Sequence, residues 1–155
     1  MDFGDEEILR LFRLFQKYEV KYLVIGGFAV NIHGYNRFTE DLDLWIKDEL
    51  GNRKQLRSAL EEMLHLELPE IERMQFIPGW SIVKLPSGFP LDIMSQVKGL
   101  DHYGFDSCLE QAQYVRLDGV TIPFLHYRHL IEGKTATARP KDQLDIAELR
   151  KIHNE

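Results

Sequence analysis

The chain has 155 residues, 44% of them apolar, a net charge of −6 and a single cysteine, Cys108. That length and composition suit one domain, 1–155, with a sizeable core. The lone cysteine excludes a disulfide framework and a cysteine-rich zinc site and fits a reduced, cytoplasmic setting, and the acid excess argues against a general nucleic-acid binder, although a local basic groove is compatible with it.

In chain order, 5–18 places Ile8, Leu11, Phe12 and Phe15 at i, i+3, i+4 and i+7. That is an amphipathic helix, with acids in its first turn and Lys17 near its end. The start, 1–7, is acidic and lacks the apolar run of a signal peptide. No stretch nears the roughly 18 apolar residues of a membrane span. Residues 22–25, Tyr-Leu-Val-Ile, read as a short buried strand. Gly26 and Gly27 end it, and 28–34 reads as a short helix that stops at Gly34. From Asp41 to Ile46 the residues alternate, with Asp41, Asp43 and Trp45 facing one way and Leu42, Leu44 and Ile46 the other. That is the period of a strand with one apolar face.

Residues 47–52 read as a turn and 53–65 as a helix with Leu56, Leu60, Met63 and Leu64 inward. A short strand is expected at 74–77. Two β-rich runs, 80–85 and 89–94, flank Pro86-Ser87-Gly88 and predict a hairpin. In its second arm Leu91 and Ile93 face one way, Asp92 and Met94 the other. A polar loop, 95–104, and a helix, 105–113, follow. Asp118-Gly119 then joins 114–117 to 120–124 in a second hairpin. Residues 125–133 read as a helix stopped at Gly133, 134–139 as a small-residue linker, and a last helix begins at Pro140. His126 and His129 share a helical spacing, but no carboxylate or cysteine nearby completes a metal site. This order of elements argues for an α+β, or mixed α/β, domain: a single mixed β-sheet with helices packed on it.

Asp41 and Asp43 stand side by side on one strand face, roughly 7 Å apart. Like charges that close repel unless a cation lies between them. A divalent ion is the natural partner, because Mg²⁺ takes oxygen ligands, often one or two carboxylates plus substrate phosphates. Gly26 and Gly27 supply the complement: bare backbone can approach a phosphate closely, and a helix start offers it free N–H groups.

The string Gly26-Gly27, a gap, then Arg37-Phe38-Thr39-Glu40-Asp41-Leu42-Asp43 resembles the signature of the nucleotidyltransferase superfamily that includes DNA polymerase β. That signature is Gly-Gly or Gly-Ser followed by Asp-x-Asp or Asp-x-Glu on the next strand. The fuller string is similar to the small bacterial branch of AbiEii-type toxins and minimal nucleotidyltransferases. The close resemblance covers 20–47, with a weaker extension to Asp92 and to Arg139-Pro140-Lys141-Asp142. It implies a nucleotidyltransferase-like fold with Asp92 as a third carboxylate on a neighbouring strand. Asp92 reads otherwise as an acid on a hairpin arm. The resemblance also makes Lys134, Arg139 and Lys141 candidates to hold a triphosphate, against a solvated helix start. Arg37 reads as a partner of phosphate or of the acids, or as a surface arginine. The Thr39 hydroxyl reads as a carboxylate-orienting or phosphate-meeting group, or Thr39 as a plain β-former.

The implied reaction is attack of an acceptor hydroxyl on the α-phosphorus of an NTP, with pyrophosphate leaving. Asp41, Asp43 and Asp92 would be both the catalytic set and the metal ligands, for one or two Mg²⁺ ions that Mn²⁺ can replace. The acceptor is left open among a small molecule, a protein and tRNA. The rival expectation is a fold relative without catalysis, acting as a partner or regulator, for example beside an antitoxin in a toxin–antitoxin-type system.

Overall fold

Asp5 opens the first helix, α1 (Glu6–Lys17), by accepting the Glu7 N–H at 2.9 Å. Glu6, Glu7 and Lys17 match the helix dipole. The buried stripe of α1 packs against α3 (Leu50–Leu64). It also sets the Phe12 and Phe15 rings 5.6 and 4.9 Å from Tyr22 of β1 (Tyr22–Ile25). This computed structural model describes residues 4–155; Met1, Asp2 and Phe3, part of the acidic start, lie outside the described residues.

Among the described residues one mixed sheet has six strands in the order β3-β4-β2-β1-β6-β5. They are β1, β2 (Leu42–Ile46), β3 (Ile82–Lys84), β4 (Pro90–Met94), β5 (Gln113–Leu117) and β6 (Val120–Phe124). β2 runs antiparallel to β1 and parallel to β4; β6 is parallel to β1. The two expected hairpins are β3–β4, turned at Gly88 with φ +92°, and β5–β6, turned at Asp118-Gly119. Alternation puts Tyr22 and Val24 on the α1 face and Ile25 on the other. The remaining helices are α2 (Gly26–Ile32), α4 (Gly104–Glu110), α5 (Tyr127–Thr137) and α6 (Pro140–Ile152), and Pro69–Glu72 form a 3-10 turn. The mixed α/β architecture with one sheet is the one expected. No helix is long and apolar enough to cross a membrane among the described residues.

Several local expectations are corrected. α2 begins at Gly26, not Phe28, because Gly26 at φ +67° turns the chain directly out of β1. α3 begins at Leu50, inside the expected turn. The buried Asn52 side chain accepts the Lys21 N–H at 2.8 Å and donates to the carbonyls of Lys21 and Lys47 at 2.9 and 2.8 Å. These bonds tie the helix start to the entrance of β1 and the exit of β2. Residues 74–77 form no strand. Ser81 holds them as a loop, its hydroxyl accepting from Ile77 N–H at 2.9 Å and donating to the Gln75 carbonyl at 3.1 Å. α4 ends at Glu110, and Gln113 opens β5.

The largest correction concerns Gly133. It does not stop α5, which continues to Thr137 and ends at Ala138 with φ +50°, so most of the expected linker is helix. Gly133 is a packing position. The loop through Val97–Leu100 lies on it, and a Cβ at Gly99 would stand 2.6 Å from the Ala136 methyl.

Candidate active site

β2 sits between β1 and β4, and its register decides what meets. Asp43 pairs with Ile25 on one side and with Asp92 on the other; Asp92 pairs in turn with Ile82 of β3. Directly opposed residues project to the same face of a sheet. Ile82, Asp92, Asp43 and Ile25 therefore form one row across four strands, on the face away from α1. Asp41 stands just before β2, where the buried Thr39 hydroxyl donates to its carbonyl at 3.0 Å. Carboxylate oxygens of Asp41, Asp43 and Asp92 lie within 4.8 Å of one another. Gly79 donates its N–H to both oxygens of Asp92 at 3.1 Å.

The glycine pair makes room for this cluster. A Cβ on Gly26 would fall on the Asp43 carboxylate, and one on Gly27 would meet the Thr39 hydroxyl. Gly26 lines the cavity beside the acids; Gly27, Arg37 and Thr39 do not line it and pack against one another instead.

Burial, and then the charges of Asp41 and Asp92, push the Asp43 carboxyl up to about 7, against the pull of Lys134 and Lys141. Asp92 is raised as well, by burial first and Asp41 after it, while the Gly79 N–H works the other way. A cation held among the three would relieve the repulsion and restore the charged forms. The donor set, three convergent carboxylates and no nitrogen or sulfur, fits a hard divalent ion.

The acids open on a cavity of about 540 Å³ that Lys98, Lys134, Arg139 and Lys141 also line. Lys134 is not part of a solvated helix start. It is 8% exposed and bonds Asp145 at 2.8 Å and Asp142 at 3.4 Å. Arg37 grips the same Asp145 with two nitrogens, at 2.7 and 2.9 Å, and is not a free surface arginine. Arg139 and Thr137 bond Asp142, each at 2.7 Å. Burial alone would raise both acids. Arg139, Thr137 and Lys134 hold Asp142 below the usual carboxylate range, and Arg37 and Lys134 do the same for Asp145. The network locks α5 and α6 to the loop that carries Arg37 and Thr39.

Sequence reasoning missed Lys98, an exposed cation on the cavity wall. Its signal was tertiary: Gly99 packs into the small-residue stripe Gly133–Ala136 and so turns the preceding lysine toward the acids' cavity. His126 and His129 lie elsewhere, with ring centroids 6.1 Å apart, and His126 caps α5 by accepting the Arg128 N–H. The Cys108 thiol is buried, and burial pushes it up to about 11, as suits a packed core residue.

The sequence matches no protein-family model and no curated protein. Its fold does have counterparts among solved structures. A candidate nucleotidyltransferase from Thermotoga maritima, TM1012, is similar at 16% identity over 95% of this chain and 90% of its own, with a TM-score of 0.58. An antigenic nucleotidyltransferase-like protein from Paracoccidioides brasiliensis is similar at 16% identity over 94% of this chain and 73% of its own, with a TM-score of 0.57. What these likenesses establish, together with the sheet order, is that the chain has the nucleotidyltransferase fold.

Proposed function

We propose that the chain is a Mg²⁺-dependent nucleotidyltransferase that moves an NMP group from an NTP to an acceptor hydroxyl. The observation that supports it best is the convergence of Asp41, Asp43 and Asp92 within 4.8 Å on a cavity also lined by cations. When bound, Mg²⁺, or Mn²⁺ in its place, neutralises phosphate charge and lowers the acceptor hydroxyl's pKa.

The chain's own residues do the positioning, which is most of the work in phosphoryl-type transfer. Asp41 and Asp43 hold the ion that accompanies the triphosphate. Asp92, fixed by Gly79, serves the acceptor side. Gly26 leaves room for the Asp43 carboxylate, and Thr39 sets the backbone of Asp41. Lys98 and Lys141, exposed cations without the Asp142 bond that Arg139 makes, meet the triphosphate; Lys134 adds charge from its buried place and holds α6 at the rim. Acceptor oxygen joins the α-phosphorus as the bond to pyrophosphate breaks.

Thermal shift with ATP, GTP, CTP and UTP, each with and without Mg²⁺, tests this. At 100 times its dissociation constant the matching nucleotide should add about 2.7 kcal/mol, a rise of roughly 5–10 °C, and only with the divalent ion. The absence of a shift with all four would favour the non-catalytic partner or regulator instead.

A further inference from the structure

Residues 77–82, Ile-Pro-Gly-Trp-Ser-Ile, carry no charge. Within them Trp80 is 84% exposed, Ile82 53% and Ile77 47%. Together they present on the order of 400 Å² of apolar surface, the size of a functional patch on a monomer. The segment is held firmly. The N–H groups of Trp80 and Ser81 donate to the Ile77 carbonyl at 3.0 and 3.2 Å, and the buried Ser81 hydroxyl ties Ile77 to Gln75. The Gly79 N–H, one residue from Trp80, grips Asp92. Ile82 opposes Asp92 across the β3–β4 pair, so its side chain shares the face of the acid cluster. Pro78 and Gly79 line the cavity; Ile77, Trp80 and Ile82 stand outside its lining.

We infer that this patch is the docking surface of a protein substrate, which presents a serine, threonine or tyrosine hydroxyl at the Asp92 side of the site. The inference rests on the nucleotidyl-transfer reading and names its acceptor class. A cavity of about 540 Å³ is of the size a single small ligand fills, so an acceptor that uses the patch extends beyond it. RNA is held through its phosphates by lysine and arginine, and this segment offers none, in a chain of net charge −6. A tryptophan flanked by aliphatic side chains is instead the composition of a protein–protein hot spot. The area is about half of the roughly 800 Å² per partner that a stable complex buries. That suits a passing substrate rather than a permanent subunit. Strand addition is not the mode of contact, because the β3 edge is three residues long and is followed by Pro86.

In the reaction the substrate's oxygen bonds to the α-phosphorus, the α–β bridging P–O bond breaks, pyrophosphate leaves, and the hydroxyl proton passes to solvent water. The test incubates the full chain with Mg²⁺, each α-phosphate-labelled NTP and an extract of its own cells, then sorts the label by protease, ribonuclease and ultrafiltration. Label should sit on protease-sensitive, ribonuclease-resistant material. Trp80→Ala and Ile82→Ser should each lower it about tenfold through KM, and Trp80→Phe should restore most of it. Both positions are exposed, and thermal melting checks that the variants are folded. Label on RNA, on a small molecule or on nothing, with the nucleotide-dependent thermal shift of the wild-type chain intact, overturns the docking surface alone, as does wild-type labelling by Trp80→Ala. Loss of that shift overturns the transfer reading and the docking surface together.

Discussion

Asp43→Asn should lower nucleotidyl transfer by roughly 10²–10³-fold or more and, in the metal-free protein at pH 8, raise the melting temperature. Both effects come from one crowded carboxylate. The folded-state Asp43 carboxyl is pushed up to about 7 by burial and by Asp41 and Asp92, against about 3.9 in the unfolded chain. Between those values the folded state holds a proton that the unfolded state has released. Stability therefore falls as pH rises through that window, and the cost is complete above pH 7. Asparagine keeps the shape and removes the charge. Without metal at pH 8 the variant should gain about 1–3 kcal/mol, and the gap should close below pH 4. Saturating Mg²⁺ should stabilise the wild type and not the variant. A variant that melts lower at pH 8, or transfers at the wild-type rate, contradicts this account of Asp43.

Lys134→Ala should cost about 3 kcal/mol or more, a fall in melting temperature of roughly 6–12 °C. It removes the cation shared by Asp145, fully buried, and Asp142, 1% exposed. Lys141→Ala, at an exposed position on the same cavity, should weaken NTP affinity with little change in stability. Asp142 and Asp145 are held below the usual carboxylate range. Their contribution is present above about pH 4 and is lost as pH falls through the folded-state values. The penalty of Lys134→Ala should shrink with it in acid. If Lys134→Ala melts like the wild type while nucleotide affinity falls, Lys134 is a plain phosphate ligand and the buried network is not what holds α6.

The acid pair was legible because β-strand alternation is a local property: Asp41-x-Asp43 followed by apolar partners already sets two carboxylates on one face. The two hairpins were legible for the same reason, from Pro86-Ser87-Gly88 and Asp118-Gly119. What escaped was decided by contacts distant in sequence. Gly133 looks like a helix stop and lies mid-helix under the Val97–Leu100 loop; the close approach is at Gly99, whose Cβ would stand 2.6 Å from the Ala136 methyl. Arg37, within the string that carries the resemblance, has its partner in Asp145, 108 residues later. Gly26 fits the phosphate-approach argument in kind, yet the group it clears space for is Asp43. Lys98 carried no local signal at all; only the docking of its loop onto α5 brings it to the cavity.

On this reading the carboxylates of Asp41, Asp43 and Asp92 form one divalent-cation site that works with a nucleotide. Mn²⁺ titration followed by electron paramagnetic resonance, with a non-hydrolysable ATP analogue present, decides whether they do. Beyond the ions that the analogue binds by itself, the wild-type chain should deplete the free-ion signal with a stoichiometry of one or two per chain. Asp43→Asn should abolish that depletion, and Asp92→Asn should reduce it while leaving the nucleotide-accompanying ion in place. Equal depletion by the wild type and Asp43→Asn, or none by the wild type beyond that of the analogue alone, would show that the three acids are not such a site.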